Sequence, residues 1–173
     1  MQGFKTVRPE DITDNVFKMI GSDWMLVTAG DPAAFNTMTA SWGFFGVMWE
    51  KKVACCVIRP SRHTWKFMEA SPLFSLSFFD GSHRKALNFC GTRSGRDTDK
   101  VKETGLSVFT GPAGSVCFEQ ARLVIECRKI YFQDFDPSKF LDPEIAGNYP
   151  EKDYHRFYLG EILTCMKKEG VGG

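Results

Sequence analysis

Apolar runs with the spacing of β-strands are the feature of this sequence that most restricts its fold. The run Leu73–Phe79 alternates apolar residues with serine through its middle, which is typical of a strand with two different faces. Val53–Ile58 is continuously apolar, as in a strand buried on both faces. Longer alternating runs span Arg122–Phe132 and Arg156–Cys165, and prolines lie between or at the ends of these segments. The pattern predicts a mainly β fold, a barrel or sandwich, with short peripheral helices.

Two further elements precede an unusually polar strand. Asp11–Ile20 has the pattern of a helix that ends at Gly21, and Trp24–Ala29 that of a strand closed by the turn 30–32. Residues 36–43, with the sequence NTMTASWG, follow as the next predicted strand. Two interpretations of its polar atoms remain open. They face solvent from an edge or barrel strand, which the segment alone favours, or they bind a ligand.

The composition suits one globular domain spanning residues 1–173, because 43% of the 173 residues are apolar. Lys and Arg number 22, Asp and Glu number 21, and the net charge is +1. This balance lacks the strongly basic character of proteins that bind nucleic acid or anionic membranes. We therefore expect no nucleic-acid or membrane partner, and any bound anion must be held by local groups.

The sequence suggests neither a membrane segment nor a framework of metals or disulfides. The N-terminal residues lack a charged start followed by an apolar stretch, and no run approaches the roughly 20 apolar residues that cross a bilayer. We expect a soluble, cytoplasmic protein. The six cysteines form no C-x-x-C pair and the three histidines no pair at ligand spacing, so we expect no disulfide and no metal site. Four cysteines lie in apolar runs, where we expect them to pack as small hydrophobic residues: Cys55, Cys56, Cys127 and Cys165.

The segment RPSRHTW, residues 59–65, has the composition of a phosphate-binding helix start. Ser61 is a suitable N-cap, which would leave free backbone N–H groups beside Arg59, Arg62 and the Thr64 hydroxyl. The alternative is a capped surface helix with solvated arginines. Arginine at a helix N-terminus opposes the macrodipole unless an anion is present, so the sequence favours a bound negative group.

The segment SGRDTDK, residues 94–100, predicts a second short helix. Asp97 is the expected cap, Gly105 the expected end, and Lys100 lies in the first turn. The local sequence favours a surface lysine paired with Asp97 or Asp99 over a lysine that binds a ligand.

Five segments in order resemble the flavin reductase-like proteins with an FMN-binding split barrel, a group that includes flavoredoxins. They are NTMTASWG, RPSRHTW, SGRDTDK, IECRKIY and DYHRFYLGEI, and they span residues 36–162. The resemblance implies a six-stranded split β-barrel with short peripheral helices. It also implies noncovalent FMN and a homodimer with sites near the subunit interface. Only residues 163–173 follow the last motif, so we expect a ring that is relatively open or covered by a partner subunit.

The resemblance also assigns cofactor-binding positions. Residues 36–42 match the strand and loop that line the flavin ring, residues 59–64 the segment that meets the ribityl phosphate, and two further motifs contribute the rest. The positions carried over are Asn36, Thr37, Met38, Thr39, Ala40, Ser41, Trp42, Arg59, Ser61, Arg62, Thr64, Ser94, Lys100 and His155. No catalytic residue is assigned, and no residue separates FMN from FAD.

The resemblance implies an oxidoreductase that passes hydride or electrons from NAD(P)H through bound FMN to a small-molecule or protein acceptor. The alternative is a flavoredoxin-like carrier that exchanges electrons with protein partners and has little NAD(P)H activity. A more distant alternative is another ligand on the same barrel, such as pyridoxal phosphate or haem. No G-x-G-x-x-G fingerprint follows a strand, so NAD(P)H as reductant would bind by stacking and weak polar contacts.

Overall fold

The computed structural model describes residues 3–170. Its strands are β1 (Phe4–Val7), β2 (Met25–Asp31), β3 (Ala34–Ala40), β4 (Gly43–Met48), β5 (Lys51–Ile58), β6 (Leu73–Phe78), β7 (Val108–Thr110), β8 (Val116–Phe118), β9 (Leu123–Asp134) and β10 (Arg156–Lys168). Its helices are α1 (Val16–Lys18), α2 (His63–Ala70), α3 (Arg84–Thr92) and α4 (Lys100–Thr104). Single turns of 3₁₀ helix occupy Pro9–Asp11, Gly81–His83 and Pro137–Lys139, a longer one Pro143–Asn148, and a π-helical turn Met19–Asp23. No helix in this part of the chain is long and apolar enough to span a bilayer.

The strands confirm a mainly β fold. The main sheet is antiparallel, with the order β3-β2-β6-β9-β10-β5-β4, and β1 pairs with β10 beside this path. Strands β7 and β8 form a separate ribbon. The expected number of six strands is wrong, because the main sheet has eight. The long strand β10 makes this possible, since its C-terminal half pairs with β1 while its N-terminal half pairs with β5.

Three predicted elements have different bounds in the structure. The helix expected over residues 11–20 is a 3₁₀ turn, the short α1 and a π-helical turn that continues beyond Gly21. The strand expected over residues 36–43 is β3 plus the first residue of β4, with a break at Ser41 and Trp42. The break occurs because β3 pairs with β2 at one end of the strand order, whereas β4 pairs with β5 at the other. Gly43 permits this second pairing, since a Cβ there would lie 2.2 Å from the Cys55 carbonyl oxygen.

The core fills both sides of the central strands. Phe74, Leu76 and Phe78 on β6 face the main cluster, as the alternation predicted. The serines on the opposite face, Ser75 and Ser77, are also fully buried, because β8 and the β7–β8 turn cover that side. All six cysteines are free thiols in buried positions, which confirms that the four in strand-like runs pack as small hydrophobic residues.

Three connections around β3 and β5 position the candidate site. Helix α2 follows β5 directly, and α3 packs beside β3, where the Thr39 hydroxyl donates to the Leu87 carbonyl oxygen at 2.5 Å. Residues 135–155 connect β9 to β10 and are called the strap below. The Phe135 amide donates to the His155 carbonyl at 2.9 Å, so the two ends of the strap lie together.

Candidate functional site

The helix that was expected to hold a phosphate begins one residue later than predicted. Arg62, with an extended backbone, is the N-cap residue of α2, and no side chain caps this helix. Ser61 is therefore not the cap. Its hydroxyl instead donates to Asp153 Oδ2 at 3.1 Å, and Asp153 lies 92 residues away in the strap.

Asn36 and Thr64, expected at opposite parts of the flavin, are in direct contact. Asn36 Nδ2 donates to Thr64 Oγ1 at 2.7 Å, and both side chains are buried. The bond joins edge strand β3 to the first turn of α2. It also means that the Thr64 hydroxyl is used by a protein donor.

A cleft between β3, the end of β5, the start of α2 and the strap brings together most of the predicted positions. We call it the arginine cleft. Its volume is about 250 Å³. It is lined by Met38, Thr39, Ala40, Ser41, Trp42, Val57, Arg59, Arg62 and His155.

Arg59 lines this cleft, and a carboxylate of the strap neutralises its charge. Its guanidinium forms an ion pair with Asp153 at 2.6 Å and donates to the Asn148 carbonyl at 2.8 Å. The same group lies 5.0 Å from the centre of the Tyr149 ring, a cation–π contact. Contacts with Ser61 and Arg59 hold the pKa of the Asp153 carboxyl below its usual range, despite some burial. Arg59 and Ser61 are therefore engaged by one carboxylate of the strap.

Arg62 differs from Arg59, because no carboxylate pairs with it within residues 3–170. The single hydrogen bond of its guanidinium there is a long one, 3.5 Å, from Nη2 to the Cys90 carbonyl. Burial and the neighbouring charge of Arg59 lower the pKa of the Arg62 guanidinium. A half-buried guanidinium without a carboxylate is a strong site for an anion with several oxygens.

His155 and Trp42 form the wall of the cleft opposite to the helix start. Their ring centroids are 5.0 Å apart. His155 Nδ1 lies 2.9 Å from the hydroxyl of Tyr149, another residue of the strap. Burial and the charge of Arg59 lower the pKa of His155 to about 4, so its imidazole is neutral at pH 7.

Lys100 does not line the arginine cleft, although its Nζ donates to the same Cys90 carbonyl as Arg62 Nη2. It is buried, and its Nζ donates to the carbonyls of Thr37 at 2.7 Å and Cys90 at 2.9 Å. Burial lowers its pKa to about 8. The prediction of a surface lysine paired with Asp97 or Asp99 is therefore wrong, because two main-chain carbonyls bind the Lys100 ammonium.

The cap of helix α4 is Asp99 and not Asp97. The Asp99 carboxylate accepts hydrogen bonds from the amides of Val101 and Lys102, each at 3.1 Å. The helix ends at Gly105 in a left-handed conformation, as predicted.

The polar side chains of β3 divide between two clefts. Asn36, Thr37 and Lys100 line a second cleft of about 430 Å³ beside the edge of β3, and Gly95 lies in its wall. Thr37 Oγ1 lies 2.9 Å from Thr28 Oγ1, and both residues are buried. The interpretation that the β3 hydroxyls face solvent is therefore wrong for Thr37. Ser94 lines neither cleft, and its hydroxyl accepts the Arg96 amide at 3.2 Å.

A large apolar groove adjoins the arginine cleft. It has a volume of about 650 Å³ and shares Trp42 and Val57 with that cleft. Its other lining residues come from β4, the β4–β5 turn, β5, β9, β10 and the start of the strap: Gly43, Phe44, Met48, Trp49, Cys55, Tyr131, Gln133, Phe135, Phe157 and Leu159. The polar cleft thus continues into an apolar surface.

Sequence reasoning missed the contributions of Asp153 and Tyr149. Asp153 lies 94 residues from Arg59, and nothing in the local sequence links the two. The available signal was the density of aromatic residues in the strap near His155. Phe140 and Tyr149 stack with centroids 5.9 Å apart, and Tyr154 packs against Tyr149 at 5.1 Å.

Comparison with known proteins places the chain in a defined structural group. Residues 17–170 match the model of the flavin reductase like domain. An FMN-binding protein from Thermus thermophilus has 20% identity and a TM-score of 0.70, with 98% of this chain and 85% of that chain covered. A flavoredoxin from Methanosarcina acetivorans has 22% identity and a TM-score of 0.68, with 94% and 77% covered. An NADH:FAD oxidoreductase from Streptomyces globisporus has 16% identity and a TM-score of 0.67, with 98% and 90% covered. No curated protein matches the chain.

Proposed function

The chain belongs to the flavin reductase-like domain family, and from this premise we propose that it is an FMN-dependent oxidoreductase whose flavin phosphate is held by Arg62. The observation that carries the proposal is the half-buried Arg62 guanidinium, which lines a cleft and has no carboxylate partner within residues 3–170. Phosphate oxygens would supply the charge and the hydrogen-bond acceptors that this group lacks. The proposed domain spans residues 1–173.

The ring of the flavin is assigned to the segment from Met38 to Trp42. This stretch ends β3 and carries small side chains at Ala40 and Ser41, so a flat ligand can approach its main chain. The arginine cleft alone, at about 250 Å³, is smaller than the roughly 300–1,000 Å³ of typical cofactor pockets. We therefore assign part of the ring to the adjoining apolar groove beyond Trp42.

When bound, FMN supplies a ring that accepts hydride or single electrons and passes them on. The residues of this chain bind and orient it. Arg62 provides charge for the phosphate, while Arg59 stays paired with Asp153 and shapes the wall. His155 adds a neutral ring rather than another cation. Hydrogen bonds of four further residues hold β3 against α2 and α3 and so support the cleft indirectly: Asn36, Thr37, Thr64 and Lys100.

The absorbance spectrum of the purified protein tests the cofactor. Oxidised flavin absorbs near 450 nm, as a property of the cofactor. We expect this band, and we expect mass analysis of the molecule released on denaturation to identify FMN. Release of FAD would contradict FMN as the cofactor. A haem or pyridoxal phosphate spectrum would contradict flavin chemistry altogether.

The identity of the electron donor distinguishes an NAD(P)H-dependent enzyme from an electron carrier. We propose reduction by NAD(P)H, and stopped-flow bleaching of the flavin band on adding NADH or NADPH tests it. Bleaching no faster than that of free FMN with the same reductant would reject this donor. A flavoredoxin-like carrier is the second candidate, because a flavoredoxin is among the solved structures that share this fold. A carrier would show slow reduction by nicotinamides and fast exchange with a reduced ferredoxin-type protein.

We propose that a second copy of the chain covers the apolar groove. Phe44 is 47% exposed and Trp49 60% exposed, and both line one continuous apolar groove, a feature typical of interaction sites. Trp49 and Glu50 form the two-residue turn between β4 and β5, with φ of 50° and 60°, and this turn places the Trp49 side chain at the end of the groove. Strand β4 ends the strand order, so its outer edge is free to meet another chain.

Sedimentation at micromolar concentration tests this assembly. We expect a dimer, and we expect Trp49→Lys to shift the equilibrium towards monomer. Lys66→Ala, on helix α2 away from the groove, is the control. A native monomer at that concentration would reject the dimer. We also propose a cytoplasmic location, because six free buried thiols are typical of a reducing compartment, and cell fractionation tests it.

A further inference from the structure

The geometry points to Tyr149 as a positioning residue that fixes the tautomer of His155 in the arginine cleft. Tyr149 lies in the strap, outside every motif of the family resemblance. Its hydroxyl is 2.9 Å from His155 Nδ1, and its ring lies against the guanidinium of Arg59. One side chain thus contacts two residues that line the cleft.

The direction of the hydrogen bond follows from what each group can satisfy. Tyr149 is only 4% exposed, and within residues 3–170 His155 Nδ1 is the partner of its hydroxyl. If Nδ1 carried the proton, the tyrosine would accept that bond and its own buried O–H would lack an acceptor. A buried donor without an acceptor has lost its hydrogen bond to water with no replacement, so this arrangement is disfavoured. The hydroxyl therefore donates to Nδ1, and the proton of the neutral imidazole resides on Nε2.

The surroundings keep both partners in this state at neutral pH. Burial raises the pKa of Tyr149, so its hydroxyl stays protonated. The charged groups near His155 are Arg59, which disfavours the imidazolium, and Asp153, which favours it. These two charges pair with each other at 2.6 Å and largely cancel. The imidazole is left neutral, and its ring lines the cleft.

This inference rests on the proposed function, because it assigns the role of His155 towards the bound flavin. With Tyr149 in place, His155 offers a fixed N–H donor and no charge. Without the Tyr149 hydroxyl, the ring would exchange between two tautomers, and Nε2 would be an acceptor for part of the time. A ligand held by an N–H donor would then bind less tightly.

Nitrogen-15 NMR of histidine-labelled protein tests the tautomer directly, without flavin. The chain has three histidines, His63, His83 and His155, and His155→Gln identifies the signals of interest. We expect the native protein to show His155 protonated at Nε2, and Tyr149→Phe to show a mixture of tautomers. Tyr154→Phe is the matched control, since this neighbouring tyrosine packs on the Tyr149 ring and should leave the tautomer unchanged. A native Nδ1-protonated ring, or an unchanged tautomer in Tyr149→Phe, would overturn the inference.

A titration with FMN separates failure of this inference from failure of the proposed function. We expect Tyr149→Phe to weaken FMN binding roughly 3- to 10-fold, by loss of one positioned hydrogen bond, and Tyr154→Phe to leave it unchanged. Equal affinity of the native and Tyr149→Phe proteins for FMN would overturn the positioning role. Absence of FMN binding to the native protein would instead reject the proposed cofactor, while the NMR result still decides the tautomer.

Discussion

Asn36 on edge strand β3 donates a 2.7 Å hydrogen bond to Thr64 in the first turn of α2, although 28 residues separate them in the sequence. Both residues were expected to contact the flavin. In the structure they form a hydrogen bond with each other. This bond sets the distance between strand β3 and the start of α2. Lys100 supports the same strand from the other side through the Thr37 carbonyl.

Replacement of Thr64 by valine should therefore destabilise the protein before any ligand is considered. Valine keeps the shape but removes the acceptor, which leaves the buried Asn36 amide without its short bond. We expect a loss of about 1–3 kcal/mol in the free energy of unfolding, measured with urea on the flavin-free protein. Thr64→Ser keeps the hydroxyl and should lose less. Equal losses for the valine and serine variants would contradict the role of this bond.

Gly95 should be the most sensitive glycine next to the candidate site. A Cβ at this position would lie 1.9 Å from Asn36 Oδ1, so Gly95→Ala must displace the Asn36 side chain. We expect lower stability and weaker FMN binding in this variant. Gly21→Ala is the control, because nothing lies within 4 Å of a Cβ there and Gly21 lines neither the arginine cleft nor the apolar groove. The same loss of FMN affinity in both variants would argue against a local clash.

Stability should fall as the pH rises above about 9. Burial raises the pKa of Cys55, Cys117 and Cys165 to about 12, whereas thiols of the unfolded chain ionise near pH 8.5. Between these values the folded state binds more protons, so the free energy of unfolding decreases as the pH rises. Below pH 8 this contribution is fully present and constant.

Urea unfolding at pH 7, 8, 9 and 10, with a reductant to prevent disulfides, measures this dependence. The lowered pKa of Lys100, about 8, acts in the opposite sense, since its unfolded form binds more protons between about pH 8 and 10.5. Lys100→Met should therefore make the decline steeper. Rising stability between pH 8 and pH 10 in the native protein would contradict the assignment of the buried thiols.

The local pattern predicted most of the strands but not how their ends meet. The runs at Val53–Ile58 and Leu73–Phe79 match β5 and β6 within two residues at each end, because buried strands carry continuous or alternating apolar side chains. The prediction of one continuous strand over residues 36–43 is wrong at Ser41 and Trp42, where the strand is interrupted. Its break depends on the pairing of β4 with β5, which local periodicity does not encode.

In the candidate site, too, the local sequence predicted residue types but not the long-range contacts between them. The sequence identified the arginines, because two guanidinium groups at a helix start are electrostatically unusual. It did not predict that Asp153 would bind Arg59 and Ser61 and that Arg62 would have no carboxylate partner within residues 3–170, since this depends on a contact between residues 94 positions apart. It also misjudged Lys100, because burial depends on how α4 packs and not on the residues beside it.

The affinity of Arg62→Gln for FMN compared with riboflavin shows whether Arg62 holds the flavin phosphate. The two ligands differ by the phosphate, and glutamine retains much of the arginine's length without its charge. We predict that the native protein binds FMN more tightly than riboflavin and that Arg62→Gln weakens FMN by about 1–3 kcal/mol, roughly 5- to 150-fold, while riboflavin is unchanged. Arg93→Gln, an exposed arginine at the end of α3, should alter neither affinity. Equal affinity of the native protein for riboflavin and FMN, or an equal loss for both in Arg62→Gln, would contradict a phosphate held by Arg62.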